Sequence, residues 1–242
     1  MKNIKNIENS YNGYYKSISN IEIHIKIFQY LGYYFHFKQN PNWGKKVLDF
    51  GGRIGERTRL INNVIVVEID DQARKFMKKN KIKCTKRIDS FKDNSIDTIY
   101  ASHVLEHVDN PAMYLAKFYK KLKKEGNLII ALPVEFPFFE TKQIDPNGHV
   151  YSWNLRNINT LLDKLNFRVE ENYIYSYLGM EFILKPFGEK IFLVCLKFFY
   201  FINRFKPIRF LLFISIFFCR LTLELFGLRV PNPEIVIYAK KK

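Results

Sequence analysis

The sequence predicts an α/β fold, a doubly wound and mostly parallel sheet that carries a helical insertion before its last strand. Three observations predict it. From Lys46 onward, strand-like apolar runs alternate with helix-like runs, the pattern of parallel strands covered by helices on both faces. A glycine-rich turn, Gly51-Gly52-Arg53-Ile54-Gly55, joins the first two of these strands, and each strand brings an acid to that turn, Asp49 and Glu68. Residues 181–230 then differ in character from their surroundings, and Pro233 to Ala239 resumes a strand pattern.

The elements follow in order. Residues 1–19 are rich in Asn, Lys and Tyr and are expected to fray. Ile21 to Phe37 is apolar and aromatic; it fits a leading helix, and the alternation from Ile21 to Ile27 fits a strand equally well. Strands are expected at 46–50, 64–68, around 82–84, 96–101, 127–132, 167–177 and 233–239. Helices are expected at 54–61, 71–79, 110–124 and 154–165. Asn110-Pro111 is a helix entry, with Asn as N-cap and Pro at the first position, and Glu125-Gly126 is the matching exit. The chain divides into a polar tail and leading helix over 1–45, an α/β domain over 46–180 and 231–242, and an apolar, basic helical insertion over 181–230.

At 242 residues there is room for one sizeable α/β domain with an elaboration, and two full domains would be a squeeze. A net charge of +16 favours anionic surroundings: nucleic acid, acidic lipid headgroups or phosphorylated substrates. The chain's general richness in Lys accounts for the same charge without a partner. Cys84, Cys195 and Cys219 are far apart and form no C-x-x-C pair, which argues against a disulfide scaffold and a thiolate zinc site. Met1 to Lys16 is polar and lacks a signal-peptide core, so a cytoplasmic location is expected.

Ligands of an open α/β sheet bind outside the carboxyl ends of its strands. Gly51, Gly52 and Gly55 let backbone come close to a cofactor there, and Glu68, nineteen positions after Asp49, can grip a ribose diol. The turn lacks the G-x-G-x-x-G of nicotinamide-binding folds, and an acid stands two residues before its first glycine. Downstream, Asp93-Asn94-Ser95-Ile96-Asp97 enters the fourth strand and Leu105-Glu106-His107-Val108 leaves it, and Leu122-Lys123-Lys124-Glu125-Gly126 precedes the fifth. With Asp49, Gly51 and Gly55, these segments resemble the class I S-adenosylmethionine-dependent methyltransferases over 46–177 and the last strand.

The resemblance implies a seven-stranded Rossmann-like sheet with an antiparallel last strand and S-adenosyl-L-methionine as cofactor. By position, Glu68 should hold the ribose hydroxyls and Asp49 and Gly51 should lie by the methionine moiety, with Gly52 and Gly55 also in the cofactor-binding turn. Ala101, Ser102 and His103 should border the methyl group. Asp89 is the nearest candidate for the adenine amino group. Arg53 stands where the family usually carries glycine; it either crowds the amino-acid end of the cofactor or pairs with its carboxylate, and Gly52 can supply the missing freedom.

His103, Glu106 and His107 spell H-x-x-E-H, which on a helix could bring two imidazoles and a carboxylate to a metal. Their place after a strand of this kind argues against a zinc hydrolase. The segment also resembles the E-x-x-E-H of some quinone-ring O-methyltransferases that bind a divalent ion; His103 replaces the first Glu, and no metal is expected. Methyl transfer from a sulfonium is an in-line displacement in which positioning does most of the work, and a base is needed only if the acceptor must lose a proton. His107 and His149 are the candidate bases, with hydrogen-bonding roles in the fold as the alternative.

In the insertion, Lys190, Lys197 and Arg204 recur every seven residues, Pro207 breaks the chain, and Arg209 and Arg220 follow. The longest uncharged run, Phe210 to Cys219, is too short to span a bilayer. Two basic amphipathic helices over 187–227 fit an in-plane hairpin on an anionic membrane surface, and also fit a lid or dimer contact. The expected function is therefore methyl transfer, to oxygen, on a lipid, a lipid-linked or glycan intermediate, or another small-molecule acceptor. The rivals are a non-catalytic membrane-binding protein of the same fold and an RNA methyltransferase. No appended RNA-binding module is evident, and nucleic acid is not the expected partner.

Overall fold

Seven strands form one sheet in the order β3-β2-β1-β4-β5-β7-β6. They are β1 Val47–Phe50, β2 Val64–Val67, β3 Cys84–Thr85, β4 Ile96–Ser102, β5 Leu122–Pro133, β6 Phe167–Tyr175 and β7 Glu234–Lys241. The computed structural model describes residues 25, 28–38, 42–134, 148–175, 191, 194, 195, 197, 198, 201 and 233–242. β7 runs antiparallel to both β5 and β6, and the remaining pairs are parallel. This is the expected doubly wound sheet with a reversed last strand.

Side-chain alternation sorts the core into two layers. Leu48, Ile99, Ala101, Ile130 and Ile237 pack with Leu115 and Phe118 of α3 (Pro111–Lys121) and with Ile158 and Leu162 of α4 (Leu155–Lys164). Val47, Tyr100, Ile129, Val236 and Tyr238 face the other side and pack against Leu31, Phe35 and Phe37. Those three belong to α1 (28–37), which closes as a π-helix over Gly32–Phe37. Packing thus decides what periodicity left open, and the part of the leading segment described here is helical. Gly32 is where α1 touches the cofactor turn: a Cβ there would lie 2.1 Å from the Arg57 carbonyl oxygen.

Local signals place the remaining helices. Asp70 caps α2 (Asp71–Lys79) by accepting from Ala73 N at 2.6 Å, and Asn110 caps α3 by accepting from Met113 N at 3.0 Å. Asn154 and Asn157 form a reciprocal capping box on α4.

Two expected elements differ. The helix expected at 54–61 is a single 3-10 turn, Glu56–Thr58, because Gly51, Arg53 and Gly55 all adopt left-handed backbone (φ 68°, 49° and 72°) and break any helical run. The helix expected to reach residue 124 ends at Lys121, since Leu122 is fully buried and pairs with Ile96. The register then shifts before Thr98 pairs with Asn127, so Lys123–Gly126 is a bulge within β5.

The tail 1–19, His24, Asp145 to Asn147, Cys219 and the hairpin built on Lys190, Arg204, Pro207, Arg209 and Arg220 lie outside the described residues. Of the insertion, residues 191, 194, 195, 197, 198 and 201 are described, and they are helical. Among the described residues no helix is long and apolar enough to cross a membrane.

Candidate active site

The carboxyl edge of β1, β2, β4 and β5 gathers the expected site residues. Gly51 N donates to the Val67 carbonyl at 2.8 Å, which folds the turn after β1 over the end of β2. Gly52 is the cradle of the turn: a Cβ there would sit 2.3–2.5 Å from the carboxylate atoms of Asp49. Gly51 is held as closely, with Val104 2.5 Å from where its Cβ would be. Gly55 has room only for contact with Val66, 3.0 Å away, and its left-handed φ is what demands glycine.

Arg53 adopts the backbone conformation that suits the glycine it replaces. Its amide donates to Glu68 Oε2 at 3.0 Å, and its guanidinium turns back on Glu56 at 2.8 Å. The side chain is therefore directed along its own turn.

Asp49 shares the parity of Val47 and is 2% exposed. Thr58 Oγ1 donates to its Oδ2 at 2.6 Å. Burial pushes the Asp49 carboxyl up to about 7, against the Thr58 hydrogen bond that favours its charge. Glu68 accepts from Asp70 N at 2.9 Å as well as from Arg53 N. Burial raises Glu68 from the usual carboxylate range, and these backbone bonds oppose it. The Ile69 backbone adds a third such bond, which leaves the carboxylate one lone pair to offer.

Beside Glu68, Ile69 is 78% exposed and offers an apolar face that the sequence reading passed over. Ser102 Oγ, at the end of β4, is buried, with the Tyr100 hydroxyl as its neighbour. A tight glycine cradle, two buried acids and an exposed apolar side chain fit a ligand with a cationic amino-acid end, a ribose and a flat base. Asp89, the candidate for the adenine end, has its carboxylate paired with Lys117 at 3.1 Å.

A second group lies beneath the site, and sequence reasoning missed most of it. Glu234, the first residue of β7, is fully buried. Arg57 donates to both its oxygens (2.8 and 3.3 Å), His36 Nε2 lies 3.1 Å away, and His103 Nε2 lies 2.8 Å away. Burial pushes Glu234 up, but Arg57, His103 and His36 together hold it well below its usual range. Burial also pushes His36 down to about 4, so it is neutral at pH 7. Donating Nε2–H to Glu234 leaves its Nδ1 to accept from the Tyr100 hydroxyl, 2.6 Å away. His103, with left-handed φ, is thus fixed at the carboxyl end of β4 by a residue 131 positions away.

On the far side of His103 lie the two candidate bases. The His107 and His149 rings meet edge to face with centroids 4.7 Å apart. Val150 N and Tyr151 N both donate to the Glu106 carbonyl (2.8 and 3.3 Å), and the Tyr151 hydroxyl donates to the Asp109 carbonyl at 2.8 Å. Val134 at the end of β5 bridges to Trp153. These bonds pin the segment carrying His149 against the turn carrying His107. Burial lowers His107, with Glu106 opposing and His149 reinforcing the shift. The structure therefore joins His107 to His149 and gives His103 a separate partner.

Comparison with known proteins agrees with this arrangement. The family profile described as a methyltransferase domain matches residues 27–172. No curated protein matches the chain. A solved S-adenosylmethionine-dependent methyltransferase from Thermotoga maritima is similar over 98% of this chain and 99% of its own, with 17% identity and a TM-score of 0.59. One from Archaeoglobus fulgidus is similar over 97% and 98%, with 20% identity and a TM-score of 0.54. The cyclase SpnF shares the fold at 11% identity and a TM-score of 0.57, over 91% of this chain and 81% of that one. The matched family span exceeds half of the sequence, and the chain belongs to the methyltransferase-domain family, with Asp49, Gly52 and Glu68 fitted to S-adenosylmethionine as its cofactor.

Proposed function

We propose that this methyltransferase transfers a methyl group to an oxygen of a lipid, lipid-linked, glycan or other small-molecule acceptor at a membrane surface. The observation that carries the reading is the His107–His149 pair, ring centroids 4.7 Å apart, beyond the carboxyl ends of β4 and β5. S-adenosylmethionine, when bound, supplies the electrophilic methyl group on its sulfonium. Asp49 meets the cationic amino-acid end, and Glu68 accepts from the ribose on its remaining lone pair. Ser102 and His103 border the methyl group, and Glu234 keeps His103 in place. An acceptor hydroxyl must also lose its proton. His107, lowered by burial, is neutral at pH 7 and able to act on that proton together with His149.

The choice of a lipid-like acceptor rests on a helical face. Ile191, Val194, Phe198 and Phe201 follow one another at intervals of three and four residues and are 47–67% exposed. A net charge of +16 complements anionic headgroups around such a face, so the contact is peripheral and in-plane.

The test supplies methyl-labelled S-adenosylmethionine with membrane lipids and, separately, with a water-soluble extract and RNA. The reading expects label in an oxygen of the lipid fraction, lowered about a hundredfold or more by His149→Ala, with cofactor affinity unchanged. Label confined to the aqueous extract or to RNA would contradict it.

A further inference from the structure

Glu106 is the least satisfied polar group of the acceptor side. It is fully buried, and neither of its carboxylate oxygens receives a hydrogen bond among the described residues. The nearest imidazole nitrogens lie outside hydrogen-bonding range or at its edge: His103 Nδ1 is 3.5 Å and His107 Nε2 is 4.0 Å from Oε1. A buried carboxylate is costly unless a cation or a set of donors meets it. Glu106, His107 and His149 each present one ligand atom, and all three atoms lie within 4.8 Å of one another.

The cluster is also held in place before any ligand arrives. The backbone carbonyl of Glu106 accepts from Val150 and Tyr151, the two residues after His149. His107 additionally hydrogen-bonds the backbone of Gly148. A ring nitrogen engaged by backbone in this way orients the other toward a metal. His103 does not belong to the set, because Glu234 holds its Nε2 at 2.8 Å. The third ligand comes instead from a separate segment, His149, which the H-x-x-E-H spacing could not reveal.

We infer that Glu106, His107 and His149 bind one divalent transition-metal ion, of the zinc, manganese or iron(II) class. Two imidazole nitrogens with one carboxylate suit these ions, whereas magnesium and calcium prefer oxygen ligands throughout. Three protein ligands leave coordination positions open, the mark of a reactive site and not of a closed structural one. The inference deepens the acceptor reading given above and rests on it for its chemistry. An acceptor hydroxyl bound at an open position has a more acidic proton. With the ion bound, His107 and His149 act on that proton through the metal and no longer as free bases; the proton leaves to solvent as the oxygen–carbon bond forms and the carbon–sulfur bond breaks, its electron pair passing to sulfur.

The test uses the full chain, stripped with a chelator and titrated calorimetrically with zinc, manganese and magnesium ions in the absence of any acceptor. The expected result is one equivalent of zinc or manganese bound, with magnesium far weaker. His149→Ala, on an accessible segment, should weaken the bound ion about a hundredfold while S-adenosylmethionine still binds, which shows that the fold persists. Glu106→Gln should weaken it as well. Cobalt(II) in the same site should give visible absorption bands without thiolate charge transfer. No stoichiometric binding, a preference for magnesium, or unchanged affinity in His149→Ala would overturn the inference. Methyl transfer to nitrogen or carbon by a metal-loaded protein would remove the acceptor reading and leave the metal site standing. Intact O-methyl transfer by a protein that binds no ion would remove the metal site alone.

Discussion

Asp49 sits at the end of β1 with the parity that turns it into the α1 side of the sheet, and that parity buries its carboxyl. Raised to about 7 by burial, the group is half protonated at neutral pH when no cation faces it. A cofactor with a cationic amino-acid end selects the ionised form. Affinity is then full above the raised value and falls as pH drops through it, by about tenfold per unit below 7. Calorimetry between pH 7.5 and 6 should show this slope, and Asp49→Asn should bind weakly and without it; a flat wild-type profile would contradict the assignment. Asp49, Gly51, Gly52, Gly55 and Glu68 were legible because their chemistry is written in adjacent residues. Thr58, which holds Asp49, was not, because a threonine in a turn has many uses and only the fold selects one. Arg53 shows the same limit, since its backbone conformation was implied by its neighbours but the destination of its side chain was not.

At the scale of elements, Glu234 ties β7 to α1 through His36, to the cofactor turn through Arg57 and to β4 through His103. Replacing it by Gln removes the carboxylate that meets the buried Arg57 guanidinium through two hydrogen bonds. Glu234→Gln should destabilise the protein by about 3 kcal/mol or more, read from urea unfolding, and a midpoint like that of wild type would show that the network is dispensable. None of this was legible in advance: the partners are 198, 177 and 131 positions apart, and no local pattern encodes them. The alternation of strands and helices was legible, because burial imposes periods of two and near four on each element. It failed at 54–61, where left-handed residues override an apolar pattern, and at 122–126, where the burial of Leu122 extends the strand through a bulge. The segment before β1 was ambiguous in isolation and became a helix because the sheet offers an apolar face, from Val47 to Tyr238, that it covers.

The whole molecule collects its polar investment at one edge of one sheet. Buried acids in the cofactor turn, the Glu234 group and the Glu106–His107–His149 cluster lie in sequence along the ends of β1, β4 and β5. The exposed Ile191, Val194, Phe198 and Phe201 and the positive charge are what the proposed lipid acceptor rests on. Fold alone does not choose the reaction, as the likeness to a cyclase demonstrates, and the argument turns on the site. Calorimetric titration of the purified protein with S-adenosylmethionine and its demethylated product, beside Glu68→Ala, tests that site most directly. The account predicts micromolar binding of both ligands, weakened about a hundredfold or more by the substitution. Absence of binding to the wild-type protein, or equal binding to both proteins, would contradict it.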